Sequence, residues 1–149
     1  MKIALGADHR GFCYKHRIKA YLSQKGIEAI DFGTDSEKSA DYSEFGLKAA
    51  REVARGNADY GILICGTGNG MMMTANKVKS IRAGLAVNPE MAALARAHNN
   101  ANVLVLSELY TPCDQLNEIV DKFLETEFEG GRHKRRVDII SNYEEKSDV

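Results

Sequence analysis

The chain has 149 residues, of which 44% are hydrophobic and 28% are charged, and its formal net charge is -1. This length and composition predict one globular domain with a full core, and the near-neutral charge excludes a global field that would recruit nucleic acid or an acidic membrane surface. Three cysteines without framework spacing, no secretory signal and no apolar stretch of the roughly 18 residues that span a membrane predict a cytoplasmic protein with no membrane partner.

Apolar runs typical of strands alternate along the chain with longer segments of helical periodicity. The predicted strands cover residues 2–7, 27–32, 59–65, 81–87 and 102–106, and the predicted helices cover 11–25, 42–55, 70–78, 89–99, 112–127 and 133–145. This alternation predicts parallel βαβ units, that is, an α/β fold of three α/β/α layers with one five-stranded parallel sheet. We expect a single domain over residues 1–149, with a C-terminal helix from about residue 131.

The fifth predicted helix has the clearest pattern. Its apolar residues follow the i, i+3, i+4, i+7, i+8 spacing of a helix that lies on a core: Leu116, Ile119, Val120, Phe123 and Leu124. We expect Thr111 to cap this helix and Pro112 to occupy its first position.

Ligands of parallel α/β sheets bind beyond the carboxyl ends of the strands. The residues after the predicted strands therefore outline a site, together with the start of the second helix: Asp8, His9, Arg10, Gly33, Thr34, Asp41, Tyr42, the segment 65–70, Ser107 and Glu108. The segments 98–100 and 130–136 add further polar chemistry, and we expect most of these groups to meet at one edge of the sheet.

Cys65 lies between the apolar run 60–64 and a glycine-rich turn formed by Gly66, Thr67, Gly68, Asn69 and Gly70. A thiol before a helix N-terminus feels the positive end of the helix dipole, which stabilises a thiolate. The same turn can present backbone N–H groups to a phosphate or an oxyanion. Such glycines also serve plain strand-to-helix turns, and neither the full dinucleotide fingerprint nor the P-loop lysine is present, so the turn alone leaves both readings open.

The remaining sulfur and imidazole side chains have simpler interpretations. We expect Cys13 and Cys113 to be small buried hydrophobes, His16 to lie on the surface and residues 71–73, three methionines, to fill the core. His98, near a predicted helix C-terminus, either caps carbonyl groups or acts in a site. No spacing of ligand residues resembles a zinc site, so we expect no metal.

Arg132 and Arg136 are four residues apart in a basic run. Such a run is usually a solvated face. At this spacing, however, both guanidinium groups project from one side of a helix and can converge on one phosphate.

Seven segments occur together in a specific order across nearly the whole chain. They are Gly6-Ala7-Asp8-His9, Asp31-Phe32-Gly33-Thr34, Asp41-Tyr42, Ile64-Cys65-Gly66-Thr67-Gly68, Ala75-Asn76-Lys77, His98-Asn99-Asn100-Ala101-Asn102 and Glu129-Gly130-Gly131-Arg132-His133. In this order the chain resembles ribose-5-phosphate isomerase type B, in the family that includes galactose-6-phosphate and allose-6-phosphate isomerases. The resemblance implies a Rossmann-like aldose–ketose isomerase without metal or cofactor, and a homodimer or homotetramer with sites between subunits.

The resemblance also implies roles for individual residues. Cys65 would be the base that moves a proton through an enediolate, with the backbone amides of residues 66–70 stabilising its oxygen and Thr67 bonding a substrate oxygen. His98 would open the sugar ring and Asn99 would bind substrate, both supplied by the neighbouring subunit. The remaining matches would bind the small-molecule sugar phosphate: Asp8 and Tyr42 its sugar, and His9, Arg132 and Arg136 its phosphate.

Two departures from the family pattern bear on the substrate. Leu109 replaces an arginine that reaches the phosphate in many relatives, so either Arg10 compensates or the preferred sugar differs. Met71 occupies the position of a glutamate base in one branch, which leaves Cys65 as the candidate base.

Three functions therefore stay open. The first is the interconversion of ribose 5-phosphate and ribulose 5-phosphate. The second is the same chemistry on an allose 6-phosphate-like or unphosphorylated sugar. The third is a sugar-phosphate-binding module without catalysis, which would need neither Cys65 nor His98.

Overall fold

Strands and helices alternate along the chain in the computed structural model, which describes residues 1–146. The strands are β1 (Lys2–Ala7), β2 (Glu28–Asp31), β3 (Tyr60–Cys65), β4 (Ala83–Leu85) and β5 (Val103–Ser107). The helices are α1 (Phe12–Gln24), α2 (Tyr42–Ala54), α3 (Asn69–Ala75), α4 (Pro89–Asn99), α5 (Leu116–Glu125) and α6 (Gly131–Lys146).

The five strands form one parallel sheet in the order β2-β1-β3-β5-β4. β3 lies at the centre, where Ile62 pairs with Leu5 on one side and with Leu104 on the other. Because helices cover both faces of a parallel sheet, its strands are buried apolar runs, as the last five residues of β3 are. The register brings Cys65 beside Ser107, at the carboxyl ends of two neighbouring strands.

Two apolar clusters occupy the two faces of the sheet. On one face, α1, α4 and α5 pack on the odd-numbered residues of β1, with Phe123 of α5 fully buried. On the other face, α2 and α3 pack on a second cluster that contains Cys65 and Met71. α6 lies outside these layers and contacts α4. The predicted α/β fold of three layers with a five-stranded parallel sheet is therefore confirmed.

Several local predictions need correction. Thr111 does not cap α5: its Oγ1 accepts the N–H of Ser107 (3.1 Å), and α5 starts only at Leu116, after a 3-10 turn over Cys113–Gln115. The Thr111 hydroxyl oxygen is not available to cap the helix, because it satisfies the buried backbone N–H of Ser107. Cys13 is exposed rather than buried, because it faces away from the sheet on α1.

The three methionines after the glycine-rich turn differ in burial. Met71 is fully buried against the sheet, whereas the side chain of Met73 is 63% exposed. The prediction that all three fill the core is therefore wrong for Met73, because consecutive residues of a helix point in different directions. His16 lies on the surface as predicted. No helix within residues 1–146 is both long enough and apolar enough to cross a membrane.

Candidate active site

Cys65 is the last residue of β3 and is only 4% exposed. Its side chain lies in the apolar cluster between the sheet and helices α2 and α3. Its carbonyl oxygen accepts the N–H of Glu108 (3.0 Å), which ties the end of β3 to the segment after β5. The thiol is thus held at the carboxyl edge of the sheet, directly before the glycine-rich turn.

The turn from Gly66 to Gly70 is held by specific contacts. Gly68, the residue before α3, has a φ of +83°, and a Cβ there would lie 2.5 Å from Leu85 Cδ1. Ser107 Oγ donates to the carbonyl oxygen of Gly66 (2.7 Å), and Thr67 Oγ1 accepts the N–H of Asn69 (3.3 Å). Because the Thr67 oxygen acts as acceptor within the turn, its O–H is left to donate to a ligand.

Tyr42 closes one side of this turn. It is the first residue of α2 and is 43% exposed, and its ring leaves no room for a side chain at Gly70, where a Cβ would lie 2.6 Å from two ring carbons. The Tyr42 ring therefore packs directly on the backbone of the turn at Gly70. A glycine is required at this position by close packing rather than by φ.

Asp8 and His9 follow β1 at the same edge. Asp8 is 5% exposed, and its Oδ1 accepts the N–H groups of Arg10 (3.0 Å) and Gly11 (3.1 Å). His9 Nδ1 accepts the N–H of Ala40 (3.2 Å), so a neutral His9 imidazole carries its proton on Nε2. A fixed carboxylate and a fixed imidazole donor thus lie beside the turn that follows Cys65.

His98 and Asn99 lie at the other end of the sheet. They end α4, which runs antiparallel to the strands, and nearby Arg96 Nη2 donates to the hydroxyl of Tyr60, the first residue of β3. Tyr60 and Cys65 are five residues apart, which corresponds to about 16 Å along an extended strand. The prediction that the polar groups meet at one edge is therefore wrong for His98 and Asn99 within one chain.

A histidine pair and a carboxylate form a compact group at this second end. The rings of His98 and His133 stack with centroids 4.2 Å apart and planes 5° apart, and His133 is only 7% exposed. Glu129 Oε2 lies 3.4 Å from His133 Nε2 and 3.9 Å from His98 Nε2. Burial, followed by the nearby charges of His98 and Arg132, lowers the pKa of His133 below its ordinary value.

These three residues offer potential ligand atoms within 4.8 Å of one another. A metal ion must lie in the plane of each imidazole that binds it. Because the two rings are parallel and stacked, their nitrogen lone pairs do not converge on one point. The arrangement is better suited to holding the His98 ring than to binding a metal. The sequence predicts no role for His133, whose only signal is its place after Gly130 and Gly131 in a family segment.

Arg132 and Arg136 project into solvent from the first turns of α6. The helix places them on one side, as predicted from their spacing. Arg132 Nε donates to His133 Nε2 (3.5 Å), and the N–H of Glu129 donates to the carbonyl oxygen of Ala97 in α4. Both arginines therefore lie with His98 at the second end and not with Cys65.

The described geometry defines a class of protein. It is an α/β protein with a thiol and an amide-rich turn at the carboxyl edge of its sheet, and with a histidine and two arginines at the other edge. The family model described as Ribose/Galactose Isomerase matches residues 3–140, and the chain belongs to that family.

Individual relatives match over almost their whole length. Ribose-5-phosphate isomerase B of Escherichia coli is 44% identical over 145 residues, which cover 97% of each chain. The structure of Clostridium thermocellum ribose-5-phosphate isomerase B has a TM-score of 0.95 at 48% identity, covering 98% of this chain and 99% of that one. The Mycoplasma genitalium enzyme, solved with bound ribulose 5-phosphate, has a TM-score of 0.93 at 43% identity, covering 98% and 97%.

Proposed function

We propose that this protein interconverts ribose 5-phosphate and ribulose 5-phosphate. The observation that carries the proposal is Cys65, a thiol fixed at the entrance of an amide-rich turn in a fold shared with a relative that binds ribulose 5-phosphate. Such an isomerase removes a proton from the carbon next to a carbonyl and returns it to the carbonyl carbon, while the hydroxyl proton of the first carbon passes to the former carbonyl oxygen. The reaction therefore needs a base beside a site that stabilises negative charge on oxygen.

The carboxyl edge of the sheet supplies both requirements. We call it the Cys65 end, and it comprises Cys65, the turn over residues 66–70, Asp8, His9 and Tyr42. The thiolate of Cys65 takes the proton from one carbon and returns it to the other, while backbone N–H groups of residues 66–70 bind the developing enediolate oxygen. A preorganised donor of this kind is typically worth about 3 kcal/mol in the transition state. The hydroxyl of Thr67 donates to a second substrate oxygen, and Asp8 and Tyr42 position the sugar from either side of the turn.

The opposite end of the sheet provides the groups for the earlier step, in which the cyclic sugar opens. We call it the His98 end, and it comprises His98, Asn99, Glu129 and residues 132–136. Opening moves a proton from the anomeric hydroxyl and another to the ring oxygen, which is general acid–base chemistry suited to an imidazole. His98 takes this role, Asn99 binds the sugar, and Arg132 and Arg136 bind the phosphate together with His9.

A working site then requires two chains. Within one chain His98 lies near the start of β3 and Cys65 lies at its end, so the His98 end of one subunit completes the Cys65 end of another. We propose that the protein forms a homodimer, alone or within a homotetramer, in which each site is built from two subunits. We also propose that it acts in the cytoplasm. The exposed apolar side chains of Ile139, Ile140 and Tyr143 on α6 support this assembly, since they are 57–74% exposed in the single chain.

A second candidate is the same reaction on another sugar. Leu109 is 52% exposed near the Cys65 turn, with its N–H bound to the carbonyl oxygen of Gly66 (3.0 Å), so it presents an apolar side chain to the entrance. An apolar side chain at the entrance favours a sugar whose phosphate does not lie beside Leu109, or a sugar without a phosphate.

The test is an activity assay with purified protein in excess chelator, using ribose 5-phosphate, hexose 6-phosphates and free sugars. We expect conversion of ribose 5-phosphate that survives chelation and is lost in Cys65→Ala. Turnover of a different sugar alone would establish the second candidate. No turnover of any sugar, with ribose 5-phosphate still bound, would instead indicate a binding module.

A further inference from the structure

Arg10 lies against the turn that follows Cys65. A Cβ at Gly66 would be 3.7 Å from Arg10 Cγ and 3.9 Å from its Nε, so the arginine side chain passes directly over this residue. The backbone N–H of Arg10 is bound by Asp8, which fixes where the side chain starts. A full positive charge is thereby placed within one residue of the candidate base.

The partner of Arg10 in the single chain is Glu108. Arg10 Nη2 lies 2.8 Å from Glu108 Oε2, and the two side chains are 48% and 32% exposed. An ion pair this exposed contributes little to folding. The Glu108 carboxylate instead keeps the Arg10 guanidinium extended over the turn. Another anion can then replace Glu108 as the partner of the guanidinium.

Nearby cations on α1 are already engaged. Lys15 is 2% exposed, lies 3.0 Å from Asp31 Oδ1 and donates to the carbonyl oxygen of Thr34. Burial opposes ionisation of Asp31, but hydrogen bonds from Lys15 and from the N–H of Gly33 outweigh it and lower its pKa. Arg17 donates to the sulfur of Cys113. Arg10, by contrast, has an exposed partner that solvent can replace.

We propose that Arg10 binds the phosphate of the substrate, exchanging Glu108 for it when the sugar phosphate enters; this assignment rests on the function proposed above. The phosphate lies at the opposite end of an open-chain pentose from the carbons between which the proton moves. A substrate with its reacting carbons at Cys65 therefore extends away along the turn, past Gly66 and the guanidinium. An arginine binds phosphate with two parallel N–H groups, which a carboxylate partner keeps preorganised.

Two consequences distinguish this role from a structural ion pair. The contact selects for a phosphate and is made before and during reaction alike, so its loss raises KM with little change in kcat. Glu108 competes with the substrate for the guanidinium, so its neutralisation lowers KM. An arginine that acted on the Cys65 thiolate instead would change kcat.

The experiment compares Arg10→Met, Glu108→Gln and the double variant with the wild type. Arg55→Met is the matched control, since Arg55 forms an exposed ion pair with Glu52 (3.0 Å) just after α2, away from the turn. KM and kcat are measured for ribose 5-phosphate, and inhibition constants are measured for inorganic phosphate. Calorimetric titration with inorganic phosphate gives a readout that does not depend on turnover.

We expect Arg10→Met to raise KM for ribose 5-phosphate and the inhibition constant of phosphate by about 10-fold each, with kcat within about two-fold. Glu108→Gln lowers both constants in the wild-type background and has no effect in Arg10→Met, while Arg55→Met changes neither. Constants within two-fold of wild type in Arg10→Met, or a fall in kcat at unchanged KM, would overturn the proposal. If the wild type lacks isomerase activity, the proposed function fails separately, and the phosphate titration still decides for or against Arg10.

Discussion

The two ends of the sheet are built in different ways. The Cys65 end relies on backbone: a strand terminus, a glycine-rich turn with one positive φ at Gly68, and carbonyl groups fixed by the segment after β5. The His98 end relies on side chains from two helices. The imidazoles of His98 and His133 stack, and the Glu129 carboxylate lies near the Nε2 atom of each ring.

This difference matches what each end is proposed to do. Charge that develops on a substrate oxygen is best stabilised by donors that do not move, and backbone amides in a packed turn satisfy this condition. An imidazole that opens the ring can exchange its protons with solvent, so an exposed position suits it. The Cys65 thiol must instead keep the substrate proton for return to the neighbouring carbon, which a buried position favours. The side chain of His98 is 36% exposed, whereas Cys65 is 4% exposed. Neither end contains the full set of proposed groups.

The strongest test of this division is complementation between two inactive variants. We expect Cys65→Ala and His98→Gln to lose at least about 100-fold in activity each. A mixed dimer, purified through two different tags, contains one site with both native residues and one with neither. It should recover roughly half of the wild-type activity per dimer, because a two-fold assembly has two equivalent sites.

The reciprocal combination serves as the control. Wild-type chains paired with chains that carry both substitutions should be inactive if each site draws Cys65 and His98 from different subunits. If instead these pairs keep half of the activity and the mixed single variants keep none, each chain builds its own site and the composite arrangement is wrong.

The second prediction concerns the backbone character of the Cys65 end. Gly68→Ala forces a side chain into a residue with φ of +83° and against Leu85 Cδ1, whereas Gly56→Ala has a similar φ of +76° with open space around it. Both variants should lose about 1–2 kcal/mol of unfolding free energy from backbone strain, and Gly68→Ala should lose more because its Cβ also meets Leu85 Cδ1. Only Gly68→Ala should also lower kcat, by about 10-fold or more, because it moves the amides of the turn.

Urea denaturation and steady-state kinetics of the two variants separate these effects. A loss of stability in both variants with kcat unchanged in both would mean that the turn conformation does not matter for catalysis. The amide-based interpretation of the Cys65 end would then be untenable.

The sequence predicted the Cys65 end better than the His98 end, and the reason is physical. Residues near Cys65 are neighbours in sequence, and the apolar run before them fixed both the strand and the edge at which it ends. His98 and His133 are brought together by packing of α6 on α4, which no local pattern specifies. The spacing of Arg132 and Arg136 predicted their common helical face but not which end of the sheet they occupy.

Hydrogen bonds to neighbouring groups explain the smaller errors in the predicted helix cap and strand end. The pattern before α5 predicted a cap at Thr111, but the buried N–H of Ser107 takes its oxygen. Periodicity predicted that 102–106 forms the last strand, and the structure extends it to Ser107, the residue that holds Gly66. The order of the last two strands depends on the path of α4 across the sheet, which the sequence does not encode locally.

The third prediction concerns the side-chain character of the His98 end. Burial lowers the pKa of His133, and the charges of His98 and Arg132 lower it further, so that together they outweigh the opposing effect of Glu129. The unfolded chain therefore binds a proton at this imidazole at higher pH than the folded chain does. The free energy of unfolding should fall as pH decreases from about 6.5. His133→Phe keeps a ring for stacking but cannot titrate, so its stability should depend less on pH over this range.

Urea denaturation at about pH 7.5 and pH 5.5 measures this difference. His16→Phe is the matched control, because His16 is exposed on α1. Identical pH dependence in His133→Phe and the wild type would show that the stacked pair does not keep His133 neutral.

The smallest expected effect contrasts two thiols near the Cys65 end. Cys13 is exposed, but a hydrogen bond to Glu37 (3.5 Å between Sγ and Oε1), with smaller contributions from burial and carboxylate charge, raises its pKa. Since the thiolate is the reactive form, Cys13 should be alkylated slowly at neutral pH despite its exposure, and Glu37→Gln should accelerate it by a few-fold. Mass spectrometry after brief iodoacetamide treatment follows each thiol separately. Ribose 5-phosphate should protect Cys65 and leave Cys13 unaffected; protection of Cys13 as well would mean that the ligand closes the whole edge rather than the turn alone.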